Sequence, residues 1–305
     1  MTHTLVVGEA LIDAVTSPDG TTVEHVGGSP ANVAFGLAAL QHEVDLATWI
    51  GLDERGARIE QVCRARGVRL TRGSQDAPAT PVAYATLADD GSAEYTFALD
   101  WQLSPVPSPA AYAHFHTGSI AAVLEPGGSA VRDLLAAART YATISYDPNA
   151  RPSLMGSPDD ARATIEAVAA LTDVIKLSDA DVEWLYPGLD LSAVLARLGR
   201  LGPALVVVTL GPRGARARLT SCGEEIVLPA VPTLVVDTVG AGDSFMAGLL
   251  SGLLDAGLLG GASGRARLHR AGIDQITPAL ERGLASAACT VARAGAHAPT
   301  RADLS

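Results

Sequence analysis

Residues 204–210 read Ala-Leu-Val-Val-Val-Thr-Leu, apolar on both faces and β-branched at the centre. A strand that hides both faces belongs inside a parallel sheet covered by helices, and this stretch is read as such a central strand. Similar runs lie upstream at Thr4–Val7, Val44–Ile50, Tyr112–Thr117, Ala142–Tyr146 and Asp173–Leu177. Helical periodicity falls between them at 30–40, 54–66, 126–139, 158–171 and 190–200, and beyond them at 242–257 and 278–294. Ser29-Pro30 and Ser157-Pro158 each put a capping hydroxyl before a first-turn proline. Repeated β-α alternation gives an α/β fold with a mostly parallel sheet and helices on both faces.

One region breaks the alternation. Val82–Leu87 and Ala93–Leu99 flank a hairpin turn at Asp90-Gly91, and a shorter extended piece, Thr22–Val26, follows another Asp-Gly. An ordinary surface hairpin and a small β-layer beside the main sheet fit the pattern equally. Residues 101–110 carry three prolines and read as a connection back to the core. Residues 259–277, rich in glycine and carrying Arg265, Arg267 and Arg270, read as a solvated insertion loop.

The 305 residues are 48% hydrophobic and 18% charged, which excludes a disordered chain and leaves ample material for a core. The formal net charge of −11 argues against a nucleic-acid binder or a protein held on anionic membrane. No apolar run approaches the roughly 20 residues of a membrane span, and no signal peptide is read at the start. Cys63, Cys222 and Cys289 form no paired spacing, so a soluble chain in the reducing cytoplasm is expected.

Lys176 is the only lysine, and it follows Ile175 inside a strand. That excludes a Walker A loop and a protein-kinase lysine motif. His114 and His116 share one face of a strand, but with no third ligand evident they read as a packed or hydrogen-bonded pair.

The most informative segment is Asp237-Thr-Val-Gly-Ala-Gly-Asp-Ser-Phe245, followed by an apolar helical run. Gly240, Ala241 and Gly242 would present successive backbone N–H groups at the positive end of a helix, a ready anion site. Asp243 then falls in the first turn. A carboxylate is a poor phosphate ligand, so it suits a base that deprotonates a hydroxyl attacking phosphorus. On its own it would read equally as an aspartate complementing the helix dipole. Asp13 follows the first strand at its carboxyl end, and Asn32 sits in a helical first turn behind the pair Gly27-Gly28. Both side chains can fix sugar hydroxyls, and both are also ordinary turn and capping residues. Thr209-Leu-Gly-Pro-Arg-Gly214 reads as a nucleotide-facing turn or a plain strand-to-hairpin turn.

Together these segments resemble the ribokinase-like (PfkB-type) carbohydrate kinases. The resemblance spans Gly8–Asp13, Gly27–Asn32, Ile50–Gly56, His116–Ser119, Asp147–Arg151, Lys176–Glu183, Thr209–Gly214, Asp237–Phe245 and Gly295–Arg301. It implies ATP- and Mg²⁺-dependent phosphorylation of a primary alcohol. The implied fold is one three-layer α/β/α sandwich over residues 1–305, with lid strands inserted near 15–26 and 82–99. By that resemblance Asp243 is the base and Gly240, Ala241 and Gly242 form the anion hole. Asp13, Gly27, Gly28 and Asn32 match sugar-binding positions, with Arg151 near the sugar or the phosphates. Lys176, Thr209, Gly211, Gly214 and Gly242 match the nucleotide region. Asp237 matches a ligand of the monovalent cation, K⁺, that several members bind, and a homodimer through the lid strands is implied.

Two departures stand out. Where the family usually reads Asn-x-x-Glu, this chain reads Ser178-Asp-Ala-Asp181, leaving Asp181 to reach hydrated Mg²⁺ from a shorter side chain. No asparagine occurs in the 278–294 helix, where some members place one near adenine. Ser29 occupies a position where sugar-phosphate kinases commonly carry lysine. The glycine-pair and His-Thr-Gly-Ser segments look most like fructokinases, so fructose is the leading acceptor. 2-Keto-3-deoxygluconate kinase, ribokinase and nucleoside kinase are the alternatives within the family. A non-catalytic sugar sensor is the alternative of another class.

Overall fold

A computed structural model describes residues 2–87 and 93–304. The turn expected at Asp90-Gly91 lies outside the described residues. The chain opens with strand β1 (His3–Val7) and the antiparallel pair β2 (Leu11–Thr16) and β3 (Thr22–Gly27). Helix α1 (Ser29–Ala39), β4 (Glu43–Ala47), α2 (Glu54–Ala65) and β5 (Arg69–Leu70) follow. Next come β6 (Val82–Leu87), β7 (Ala93–Ala98), β8 (His114–Gly118), α3 (Gly127–Ala138) and β9 (Thr143–Asp147). The second half contains α4 (Pro152–Met155), α5 (Pro158–Ala169), β10 (Val174–Ser178), α6 (Asp179–Leu185), α7 (Leu191–Gly199) and β11 (Leu205–Thr209). It ends with β12 (Ala215–Leu219), β13 (Glu225–Leu228), α8 (Ala241–Asp255), α9 (Gly261–Leu268) and α10 (Ile273–Val291).

The main sheet has nine strands in the order β13-β12-β11-β10-β9-β8-β1-β4-β5, parallel from β11 to β5. Consecutive residues feed opposite faces, as a period of two requires. Val6 and Val207 join one apolar cluster with α1, α8 and α10, whereas Leu5, Val7, Val206 and Val208 join another with α3, α5 and α7. The three-layer α/β/α fold follows directly. Among the described residues, no helix is long and apolar enough to cross a membrane.

The 204–210 run is buried on both faces but is not central. It pairs parallel with β10 and antiparallel with β12, two strands from the sheet edge. Its two-sided burial comes from helices above and below, which do not depend on its rank in the sheet. The hairpin at 82–98 and the 22–27 piece join β2 in a separate four-stranded sheet, β3-β2-β6-β7, and this is the lid. Asp13 therefore sits in a lid strand and not at the carboxyl end of β1.

Residues 259–277 are not a solvated loop. They form α9 and the first turn of α10, with Leu259, Leu268 and Ile276 in the core. Arg265 docks across the carboxylate of the fully buried Asp173 and donates to the Arg139 and Ala142 carbonyls. The charge that suggested solvent is spent on an internal partner. α10 likewise begins five residues before Pro278, with Gln275 reaching back to the Gly272 N–H. Pro278 is the sixth residue of α10, past the free N–H groups of the first turn, and removes one intrahelical bond.

Candidate active site

The site forms where the carboxyl ends of β9, β10 and β11 meet the first turn of α8. Gly240 starts that helix in the left-handed region at φ 74°, where a Cβ would lie 2.7 Å from that of Ala296. Glycine answers both demands. Gly240 brings no side chain to cap α8, and among the described residues no side-chain cap is made at this helix start. Beneath it lies Lys176, its ammonium 3.2 Å from where a Cβ of Gly242 would stand. Lys176 is 2% exposed and lies 2.7 Å from a carboxylate oxygen of the fully buried Asp147. Asp147, Asp181 and Asp243 hold this ammonium protonated against its burial. Burial pushes the Asp147 carboxyl up, against the pull of Lys176.

Asp243 is buried in the first turn of α8. Its Oδ1 accepts from Ser29 Oγ at 2.6 Å, and its Oδ2 accepts from Asn32 Nδ2 at 2.9 Å. Burial raises its carboxyl above the ordinary range, while Ser29, Asn32, Lys176 and Arg151 pull it back down. Arg151 donates to the backbone and side-chain oxygens of Asn149, which in turn donates to Ser29. From the lid, Asp13 faces the same charges. Burial lifts it to about 6, with Arg151 opposing. Gly27 on the neighbouring strand leaves room for this carboxyl, since a Cβ there would sit 1.9 Å from Asp13 Oδ2 and the side chain of Asp13 would have to move. Gly28, at φ 104°, packs against the Glu9 carbonyl.

Other expected residues fall around this centre. Asp181 closes a capping box on α6, its Oδ2 accepting from Ser178 N and Oγ and its Oδ1 from Ala150 N. Thr209 pairs in register with Ser178 and donates to the Leu177 carbonyl at 3.3 Å. Gly211 opens a single 3₁₀ turn and faces open space. Gly214 has a structural reason of its own, because a Cβ there would lie 2.0 Å from the Leu228 carbonyl oxygen. Asp237 accepts from Val239 N at 3.0 Å and Gly295 N at 2.8 Å, tying the loop before α8 to the tail. His114 and His116 share the Ser145 hydroxyl inside the sheet, both held neutral by burial.

Glu9, Asp147 and Asn149 carry no signal of their own in the sequence, and Ser29, expected there as a helix cap, is instead the first residue of α1 behind Gly28 and gives its hydroxyl proton to Asp243. Glu9 is 4% exposed, its Oε2 has no partner among the described residues, and burial lifts it to about 7. All four lie inside segments already singled out, next to residues that were chosen. A concavity of about 650 Å³ on the outside, lined by Glu24, Asp53, Glu54, Arg55 and Arg58, shares none of the site's residues.

The arrangement brings together a buried carboxylate, the N-terminal turn of a helix and a buried cation beside it, with Asp13 of the second sheet near the carboxylate. The profile of the pfkB family carbohydrate kinases matches residues 1–303. A fructokinase of Klebsiella pneumoniae is 34% identical over 262 residues, 83% of this chain and 85% of that protein. The structure of a fructokinase from Xylella fastidiosa with bound ATP superposes with a TM-score of 0.83 at 23% identity, covering 100% of this chain and 97% of that one. A double-mutant fructokinase of Vibrio cholerae with bound fructose, ADP and potassium ion gives a TM-score of 0.78 at 23% identity, covering 100% of this chain and 97% of that one. The match over nearly the whole chain, joined to this site, makes the chain a member of the pfkB family of carbohydrate kinases.

Proposed function

We propose that this kinase transfers the γ-phosphoryl group of ATP to a primary hydroxyl of a free sugar, with fructose the leading acceptor. The observation that carries the reading is Asp243, a buried carboxylate in the first turn of an uncapped helix, held on both oxygens by Ser29 and Asn32. In the step, Asp243 takes the proton of the sugar hydroxyl and that oxygen bonds to the γ-phosphorus. The bond from phosphorus to the ADP oxygen breaks, leaving ADP and a sugar phosphomonoester. Backbone N–H groups of Gly240, Ala241 and Gly242 stabilise the charge growing on the transferred group. Lys176 adds its charge from below, through the helix end and not by touching solvent-side phosphate.

Asp13, Gly27, Gly28, Asn32 and Arg151 line the sugar side, and Thr209, Gly211 and Gly214 the nucleotide side. Neither carboxylate oxygen of Asp147 has a hydrogen-bond partner among the described residues, Oδ2 meeting Lys176 as an ion pair, and hard carboxylate oxygens suit hydrated Mg²⁺. Asp181, whose oxygens are taken up by Ser178 and Ala150, would act beside it through water. Bound there, Mg²⁺ would offset charge on the ATP phosphates. Each Asp237 oxygen accepts one backbone N–H and keeps a lone pair, which fits a monovalent cation such as K⁺. Fructose is favoured by the 34% identical fructokinase and by Ser29, which offers no cation to a second phosphate.

Purified protein given ATP, Mg²⁺ and a panel of free sugars should release ADP with highest kcat/KM on fructose. A higher kcat/KM on a pentose, a nucleoside or 2-keto-3-deoxygluconate would move the assignment within the family. Sugar-dependent thermal stabilisation without ADP release would instead mark a sensor.

Two further outcomes are expected. Gly27→Ala pushes a methyl into Asp13, so sugar KM should rise about tenfold or more with kcat nearly kept. An unchanged KM would remove Asp13 from the sugar site. Sugar binding should slow amide exchange in lid strands β2, β3, β6 and β7. Equal exchange with and without sugar would show that the second sheet does not close on its substrate.

A further inference from the structure

We propose that Ser29 and Asn149 are positioning residues, forming a one-way hydrogen-bond relay from Arg151 to Asp243 that leaves Oδ2 as the oxygen taking the sugar's proton. This rests on the reading of Asp243 as base.

The relay runs through three bonds. Arg151 Nη1 donates to Asn149 Oδ1 at 2.7 Å, Asn149 Nδ2 donates to Ser29 Oγ at 2.9 Å, and Ser29 Oγ donates to Asp243 Oδ1 at 2.6 Å. A guanidinium only donates and a carboxylate only accepts. The orientation of the amide between them is therefore forced, with its oxygen toward Arg151 and its nitrogen toward Ser29. Ser29 has one proton, and it goes to the carboxylate. Every bond points from the cation to the anion, so each polarises the next, and the last is a short charge-assisted bond. Asn149 holds its place with a left-handed backbone at φ 36°, a conformation that asparagine tolerates better than most residues.

The acceptor positions single out one oxygen. Oδ1 receives Ser29 at 2.6 Å and Asn149 Nδ2 at 3.4 Å, which fills both of its lone pairs. Among the described residues Oδ2 receives only Asn32, at 2.9 Å, and keeps one open. The sugar proton has one carboxylate position left to enter. The charged groups that face Asp243 are Lys176 from β10, Asp147 at the end of β9, Arg151 just before α4, Glu9 after β1 and Asp13 on the lid. Of these, only Arg151 is wired to it by the relay.

The test is steady-state kinetics against pH for Ser29→Ala, Asn149→Ala and the double variant, with melting temperature as a check on folding. Ser29→Ala should lower kcat about tenfold with sugar KM within about twofold. The acidic limb of kcat should move up by about one pH unit, because a bond to the charged form is lost. Asn149→Ala should act in the same direction. The double variant should be hardly worse than the poorer single, since both break one relay. Ser29→Ala with unchanged kcat and limb, or two losses that multiply, would overturn the proposal. Asp243→Asn separates the two layers. If it keeps near wild-type rate, the base reading falls and the relay with it. If it is inactive while Ser29→Ala is unaffected, the relay alone is wrong.

Discussion

Replacing Asp243 by asparagine should lower kcat by about 10³–10⁴-fold while leaving both KM values within a few-fold. The amide keeps the shape of the side chain; its oxygen can still accept from Ser29, and Asn32 must turn its own amide to accept from the new nitrogen, so sugar and nucleotide should still bind. What it cannot do is accept a proton. Melting temperature should hold or rise, because a buried charge is removed. For the wild type, activity requires the deprotonated carboxyl, and burial raises that group above the ordinary carboxylate range. Activity should therefore fall with decreasing pH at a point above that of a free aspartate. A variant within tenfold of wild type would remove Asp243 from the chemistry.

The second large effect concerns stability. Lys176 and Asp147 are both buried and lie 2.7 Å apart, so Lys176→Met leaves a carboxylate without its counter-charge. Breaking one side of a buried pair costs about 3–5 kcal/mol. In a chain of this size that lowers the melting temperature by roughly 5–8 °C. Activity should fall as well, because the ammonium also favours the ionised form of Asp243. Combining Lys176→Met with Asp147→Asn removes both charges and should recover most of the lost stability, without recovering kcat. A single variant that melts like wild type would mean the pair carries no uncompensated charge when broken.

Local patterns in the sequence told most of the fold. The β-α alternation and the glycine run before Asp243 are contiguous, and their physics is contiguous too. The segments that misled were those whose environment is set from far away. Arg265 reads as solvent-facing until Asp173, 92 residues distant, is placed against it. The 204–210 strand reads as central because burial, not rank, shapes its composition. Asp13 reads as following β1 because the sequence does not show that the chain leaves the main sheet after Val7 to enter the lid. In the site, Gly240 to Asp243 were visible as one segment. Ser29 meets Asp243 across 214 residues and Asn149 across 94, so neither contact had a local signature. Gly214 shows the converse, a glycine expected at the nucleotide whose close approach is to the Leu228 carbonyl.

The central claim is transfer of phosphoryl from ATP to a free sugar hydroxyl. ³¹P NMR of the protein with ATP, Mg²⁺ and fructose tests it most directly. The expected spectrum gains ADP and a sugar phosphomonoester in equal amounts, and gains neither at a comparable rate with Asp243→Asn. ADP accompanied by inorganic phosphate, or no turnover with any free sugar, would contradict it.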